Sequence, residues 1–298
     1  MTVKPPNCLI CDSKEFTPFL EVPNRFDVMG NFMLVQCSAC GFVYLWPRPE
    51  AIEEYYEDAG YQPHQEKAET VMDRLYRRVR VWNLKIKERL IEKYQKKGKL
   101  LDYGCGTGAF LSHMQKSGWN VQGMEPSEKA RSIGIQNGLN LQADIDQISG
   151  SFDVITLWHV LEHIENAHEV IDILSKKLTP QGILVIAVPN RDSFDAKIYK
   201  SCWVAYDAPR HLYHFRPRDV IRFLEMHRLH VISKRPLFFD TWFNALLSWQ
   251  TESAVYGRRI RIGGLVKFGF VALCASFKGL FQKDLSSSLV FIVTKMSG

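Results

Sequence analysis

Residues 100–111 read LLDYGCGTGAFL, and how this stretch is read decides the fold. The apolar pair Leu100 and Leu101 leads into Asp102 and Tyr103, and glycines follow at Gly104, Gly106 and Gly108 before a second apolar run begins. A strand that ends in a glycine-rich turn and feeds a helix commonly cradles a nucleotide, because glycine lets the backbone turn tightly and approach a ligand closely. Gly104, Gly106 and Ala109 also satisfy the spacing of a dinucleotide site, so the glycines alone do not choose the ligand.

Two acids narrow the choice. Dinucleotide binding brings a pyrophosphate onto the glycine turn and the helix N-terminus behind it. Asp102 opposes that charge, and residues 103–110 hold no cation to offset it. S-adenosylmethionine (SAM) has no phosphate and carries an ammonium and a sulfonium, which an acid at the strand end suits. Glu125 ends the next apolar stretch, 21 residues after Gly104, where its carboxylate can accept both hydroxyls of a ribose. NAD would want the same acid, so Glu125 supports an adenosine ligand and Asp102 tilts the choice toward SAM.

Working outward, strands and helices alternate. Strands are expected at 99–103, 120–124, 140–143, 152–157 and 183–188, with helices at 109–117, 127–137 and 166–178 between them. TPQG (179–182) is read as breaking the last of these helices, and a further helix is expected at 217–229. Such alternation predicts an α/β fold with a parallel sheet, helices on both faces, and ligands at the carboxyl ends of the strands. Asp102, Glu125, Asp144, Trp158 and Pro189 all fall at those ends.

Upstream, Cys8-Leu-Ile-Cys11 and Cys37-Ser-Ala-Cys40 form two CxxC knuckles 25 residues apart. Four thiols in this pattern match a closed tetrahedral Zn2+ site, structural in role because no coordination position is left for chemistry. The chain divides on this reading into a zinc ribbon at 1–50, a linker with a basic helix at 51–98, and a catalytic domain at 99–298. Seven cysteines, four of them paired as knuckles, fit a reducing cytoplasm better than disulfides. The polar start MTVKPPNC does not have the pattern of a secretory leader.

The net charge of +6 is concentrated. Residues 71–99 hold eleven Lys or Arg against three acids, and Val71, Leu75, Val79, Trp82, Ile86 and Leu90 recur at helical steps within that stretch. A solvated basic face on a linker helix accounts for this, and contact with RNA or an anionic membrane is the other reading.

Taken together and in this order, LLDYGCGTGAFL, GMEPS, QADI, SFDVITLWHVLEHI and LTPQGILVIAVPN resemble the class I SAM-dependent methyltransferases over about residues 98–235. The resemblance implies a Rossmann-like, mostly parallel seven-stranded sheet whose one antiparallel strand lies at 289–295. It implies that Gly104, Gly106 and Gly108 pack against the methionine portion of SAM, with Asp102 near its ammonium. Glu125 would hold the ribose, Asp144 the adenine amino group, and Trp158 with His159 would line the cofactor pocket.

The knuckles followed by WPRPEAIEEYY resemble zinc-ribbon methyltransferases of sugar, polysaccharide and secondary-metabolite pathways, some of which methylate carbon on nucleotide-activated sugars. That subgroup carries a tyrosine and an adjacent Glu-His. Here His211 keeps the histidine, while Arg210 and Ala208 stand in the other two positions. Oxygen methylation of a small-molecule or glycan-type acceptor is therefore expected at least as much as carbon methylation. A zinc-ribbon rRNA methyltransferase and a non-catalytic SAM-binding scaffold remain open as rivals.

An activated methyl needs an aligned acceptor and, for a hydroxyl, a proton acceptor. Histidine suits that task. His211 is expected as the base, with Asp207 orienting it and His214 in reserve, because the aromatic, charged stretch 202–215 follows strand five where such loops overhang the donor. His64, His113, His168, His227 and His230 read as surface histidines. Finally, residues 238–288 read as a helical insertion before the last strand. Within it, 262–281 is mostly apolar but carries Lys267 and Lys278 on nearly one face, preceded by Arg258, Arg259 and Arg261. A helix packed on the protein with its lysines outward is expected, capping the acceptor pocket or contacting a second copy. Peripheral membrane contact through 258–283 is the alternative.

Overall fold

The computed structural model describes residues 6–24, 30–49, 55, 71–257 and 262–296, the side chains of 71–77 and 262–265 excepted. Arg258, Arg259, Arg261 and His64 lie outside the described residues, as does most of the linker at 51–70.

Seven strands form the main sheet: β4 (Lys99–Tyr103), β5 (Asn120–Met124), β6 (Leu141–Gln142), β7 (Phe152–Trp158), β8 (Leu178–Pro189), β10 (Leu229–Pro236) and β11 (Ser288–Lys295). Their order is β10-β11-β8-β7-β4-β5-β6. The pairs β4–β5, β4–β7, β5–β6 and β7–β8 are parallel, and β11 runs antiparallel to both of its neighbours. Central strands are apolar on both faces because both are covered. Leu101 and Ile155 belong to one buried cluster, whereas Leu100 and Val154, one residue away, belong to the other. Helices α2 (Ala109–Lys116), α3 (Glu128–Gln136), α4 (Ala167–Lys177) and α6 (Pro217–Met226) supply the crossovers. Ser127 caps α3 as a side-chain acceptor for the Ala130 N–H, the role its position predicts.

Two expectations about elements are corrected. TPQG does not separate helix from strand, since β8 starts at Leu178 and runs through it. Leu178 stands opposite Phe152 and Ile183 opposite Val154, so the extra residues are taken up by a register irregularity. Pro180, which has no N–H to donate, is tolerated there. On the basic helix α1 (Val71–Glu92), the apolar row read from the sequence is only partly turned inward, since Trp82 in it is 58% exposed while Leu90 packs on a buried cluster. Ile91 is fully buried, with Leu84, Leu90 and Tyr94 packed against the same cluster.

The N-terminal residues build a second, antiparallel sheet from β1 (Phe16–Pro23), β2 (Asn31–Cys37), β3 (Val43–Leu45) and β9 (Tyr213–His214). Its last strand comes from the loop that follows β8, pairing Val43 with His214 and Tyr44 with Tyr213. Its buried residues Leu34, Phe42 and Tyr44 share one cluster with Ile155, Ile186 and Phe223 of the main domain. Arg216 donates to the Cys40 carbonyl (3.0 Å) and Arg191 to the Gly41 carbonyl (2.6 Å), tying the second knuckle to the sheet domain.

Between β10 and β11 the insertion folds as α7 (Phe238–Val255) and α8 (Ile262–Phe281), packed on each other and on α5 (Phe194–Tyr199). The expected outward lysines hold for Lys278, which is exposed, and are corrected for Lys267. Lys267 reaches back to both carboxylate oxygens of Glu252 (2.6 Å each), and the Lys278 ammonium sits over the Phe194 ring at 4.3 Å. Glu252 on α7 draws Lys267 inward, which the helix's own sequence cannot reveal. No helix among the described residues is long and apolar enough to cross a membrane.

Candidate active site

The turn after β4 is left-handed at Gly104, Gly106 and Gly108 (φ 75°, 55° and 76°). A Cβ at Gly104 would strike Val160 at 2.6 Å, and one at Gly108 would strike Leu139. At Gly106 a Cβ would meet nothing within 4 Å, so the open side of the turn lies there. The Gly106 N–H donates to Glu125 Oε2 (2.7 Å) and the Ser127 N–H to Oε1 (3.0 Å). This pins the Glu125 carboxylate beside the turn, and each oxygen keeps a further lone pair for a ligand hydroxyl.

Asp102 is buried at the end of β4, where the Thr156 hydroxyl donates to it at 2.5 Å. Burial pushes its pKa up to about 7, against the pull of that hydrogen bond and of Lys87. Lys87 comes from α1 and carries its ammonium over the Trp158 ring at 4.1 Å. Burial lowers its pKa, while the charges of Asp240 and Asp102 oppose that shift. The strand ends therefore already stabilise a cation between carboxylates and an indole face. An open glycine turn, a pinned diol acceptor and a cation-favouring acid fit SAM. Asp144 is exposed, and one of its carboxylate oxygens caps the short turn 145–147 by accepting from the Asp146 N–H at 3.1 Å. Its charge also helps burial raise the pKa of the Tyr103 phenol.

Beyond Trp158 the chain passes through His159 in a left-handed conformation (φ 58°). His159 Nε2 lies 2.7 Å from Asp240 of α7, and Nδ1 lies 3.5 Å from Glu162. Burial alone would lower the pKa of His159, but these carboxylates raise it to about 10, so it is charged at neutral pH and cannot serve as a base. Glu162 is wholly buried. Burial would raise its pKa, but the surrounding His159, His211 and His163 hold it below the usual range.

His163 and His211 meet edge to face, their ring centroids 4.5 Å apart. His163 Nδ1 donates to the Arg210 carbonyl (2.9 Å) and His211 Nδ1 to the Ala205 carbonyl (2.8 Å). Each imidazole thus presents Nε2 as its basic nitrogen. Burial, reinforced by His211, lowers His163 to about 4. Glu162, His163 and His211 offer three ligand atoms within 4.8 Å of one another, a donor set that could hold a cation.

Asp207, expected to orient His211, is engaged chiefly by Arg210, whose Nη2 donates to both of its oxygens (2.8 and 2.6 Å). His211 Nε2 is 3.8 Å from the same carboxylate, so orientation comes from Ala205 and Asp207 supplies charge. His214 lies in the N-terminal sheet, on β9, against Tyr206. Burial holds it well below its ordinary pKa, and its Nε2 has no hydrogen-bond partner among the described residues. Of the histidines read as surface groups, His168 joins His227 (2.9 Å) to the Leu9 carbonyl (3.0 Å), and His113 pairs with Glu88 (2.7 Å).

Lys87, Glu162, His163 and Asp240 are site residues without an assigned role in the sequence reading. The Glu-His pair following β7 was a legible signal for two of them. Asp240 and Lys87 carry none, because they arrive from distant helices.

At the N-terminus, the Cys8 and Cys40 sulfurs are 3.5 Å apart, as are those of Cys11 and Cys37, and all four lie within 4.8 Å of one another. A tetrahedron with Zn–S bonds of about 2.3 Å has edges of about 3.8 Å, so the four thiols fit zinc.

Residues 73–234 match the family described as Methyltransferase domain. The ubiquinone biosynthesis O-methyltransferase of Erwinia tasmaniensis is 31% identical over 106 residues, covering 32% of this chain and 44% of that protein. The protein of the same name from Xanthomonas oryzae pv. oryzae is 24% identical over 172 residues, 52% of this chain and 72% of that one. The match thus spans less than half the length of the first relative. Among solved structures, magnesium protoporphyrin IX methyltransferase from Synechocystis PCC 6803 with bound SAH is similar, with TM-score 0.52 and 14% identity over 82% of this chain and 98% of that one.

Proposed function

Because the chain belongs to the methyltransferase-domain family, we propose that it transfers the methyl group of SAM to a hydroxyl of a small-molecule acceptor. The observation that carries the cofactor is the Glu125 carboxylate, pinned by two backbone N–H groups beside the open side of the glycine turn. When bound, SAM supplies a sulfonium-activated methyl. Glu125 accepts the ribose hydroxyls, and Asp102 with the Trp158 face favours the cationic end. His211 takes the acceptor proton at Nε2, since Nδ1 is committed to Ala205. Asp207, 3.8 Å away, then stabilises the imidazolium. His159 holds α7 against the end of β7 through Asp240, which closes the site from water.

Oxygen is favoured as the acceptor atom by the relatives' names, which say O-methyltransferase in ubiquinone biosynthesis. A sugar or secondary-metabolite hydroxyl is the acceptor that the zinc-ribbon resemblance implies, and the same residues would serve it. Four thiolates of Cys8, Cys11, Cys37 and Cys40 hold a structural zinc on this reading, keeping β2 and β3 in place beneath the acceptor loop.

Incubating the protein with methyl-labelled SAM and either a small-molecule extract or total RNA tests the reading. Label is expected in a small molecule, and mass spectrometry of the product names the acceptor. Label confined to RNA would support an rRNA methyltransferase instead, and SAM binding without transfer to either pool would support a scaffold.

A further inference from the structure

Helix α8 turns its apolar residues away from the protein. Val266, Phe270, Leu273, Phe277, Leu280 and Phe281 recur at helical steps along one face and are between 60% and 75% exposed. Its opposite face, with Val271, Ala272 and Ala275, is buried against the domain. A soluble helix ordinarily places such residues the other way round. The stripe does not stand alone, since Ile198 on α5 and Trp242 and Phe243 on α7 are exposed large hydrophobics on the helices packed with it.

Charge around this face has one sign. Lys197 and Lys200 at α5, Lys278 on α8 and Lys283 just after it are exposed. The acids of the same elements are all paired. Asp195 accepts from Trp203 (2.8 Å) and Ser287 (2.6 Å), Asp240 pairs with His159, Glu252 with Lys267 and Asp284 with Lys234.

We propose that the outer face of α8 docks on an anionic lipid bilayer, lying in the interface with its phenylalanines among the acyl chains and the lysines of α5 and α8 among the headgroups. An apolar stripe bordered by cations whose neighbouring acids are neutralised matches such a surface in both respects. A second copy matches it less well, because apposing two such faces sets lysines against lysines. Docking is peripheral, since the inner face of α8 is committed to α5 and α7.

Co-flotation of the full-length protein with vesicles tests this. Wild type is expected to float with phosphatidylcholine vesicles containing phosphatidylglycerol and to stay behind with phosphatidylcholine alone. F270S/F277S should lower partition by at least about tenfold, and K197E/K200E should weaken it at low salt. Both variants alter exposed groups, and unchanged SAM binding by calorimetry checks that they fold. The proposal is overturned if wild type fails to float with anionic vesicles, or if neutral vesicles bind equally well. It is also overturned if sedimentation shows a dimer that F270S/F277S dissolves while vesicle binding is absent. Because flotation needs neither SAM nor acceptor, its failure is distinct from failure of the methyl-transfer reading.

Discussion

The two halves of the candidate active site are built in opposite ways. On the cofactor side, β4, its turn and Glu125 lie within 27 residues, and the hydrogen bonds that pin Glu125 come from Gly106, 19 residues before it, and Ser127, two after it. On the acceptor side nearly every contact is long-range: His159 meets Asp240, His163 meets the Arg210 carbonyl, and the Leu212 N–H reaches the Glu162 carbonyl at 2.8 Å. The first half is a local motif, so it can be damaged at one residue without disturbing the second. The second is held by elements that meet only in the folded chain, including a strand shared with the N-terminal sheet.

The largest expected effect lies in the first half. Gly106→Val puts a branched side chain into the open side of the turn at φ 55°, and SAM binding measured by calorimetry should fall below detection. Tight NAD binding by the wild type with no SAM binding would overturn the cofactor assignment. Next in size, His211→Ala should reduce turnover by about a hundredfold or more while SAM affinity is unchanged. Normal turnover in that variant would remove His211 as the base.

Cys37→Ser probes whether the acceptor half depends on the N-terminal sheet. Metal analysis should give about one zinc per wild-type chain and a loss in the variant. Turnover should fall more than SAM affinity, because β9 borrows β3 for pairing. Zinc-free wild type, purified under reducing conditions, would sink the metal assignment. A stoichiometry of about two would instead bring the Glu162, His163 and His211 donors into play.

Glu125→Ala removes an anionic acceptor of hydroxyl hydrogen bonds and should weaken SAM binding by about 1.5–3 kcal/mol. The smallest effect is on pH. Asp102 is neutral below its raised pKa of about 7 and charged above it, so affinity for cationic SAM should rise as pH passes upward through 7. The gain from pH 6 to 8 should be up to about tenfold, the ratio of the ionised fractions. Asp102→Asn should flatten that profile, and an unchanged slope in the variant would assign the titration elsewhere.

Amino-acid sequence by itself determined what depends on local pattern. Alternating apolar strands and helices specified the parallel sheet, the glycines with Asp102 and Glu125 specified a turn suited to an adenosine ligand, and two CxxC pairs specified a thiol cluster. In each case the physical requirement (a positive φ, a charge at a strand end, two sulfurs on one knuckle) is met by residues a few positions apart. Tertiary structure alone decided which face of α1 and α8 is turned inward. Lys87 is drawn to Asp102, Asp240 and Trp158, and Lys267 to Glu252, because ions that lose water on packing need partners, and those partners come from other elements. The same is true of the candidate base. Its sequence marked His211 as a histidine in an aromatic loop, but its protonated nitrogen, its His163 neighbour and the loss of Asp207 to Arg210 arise only where distant backbone segments converge.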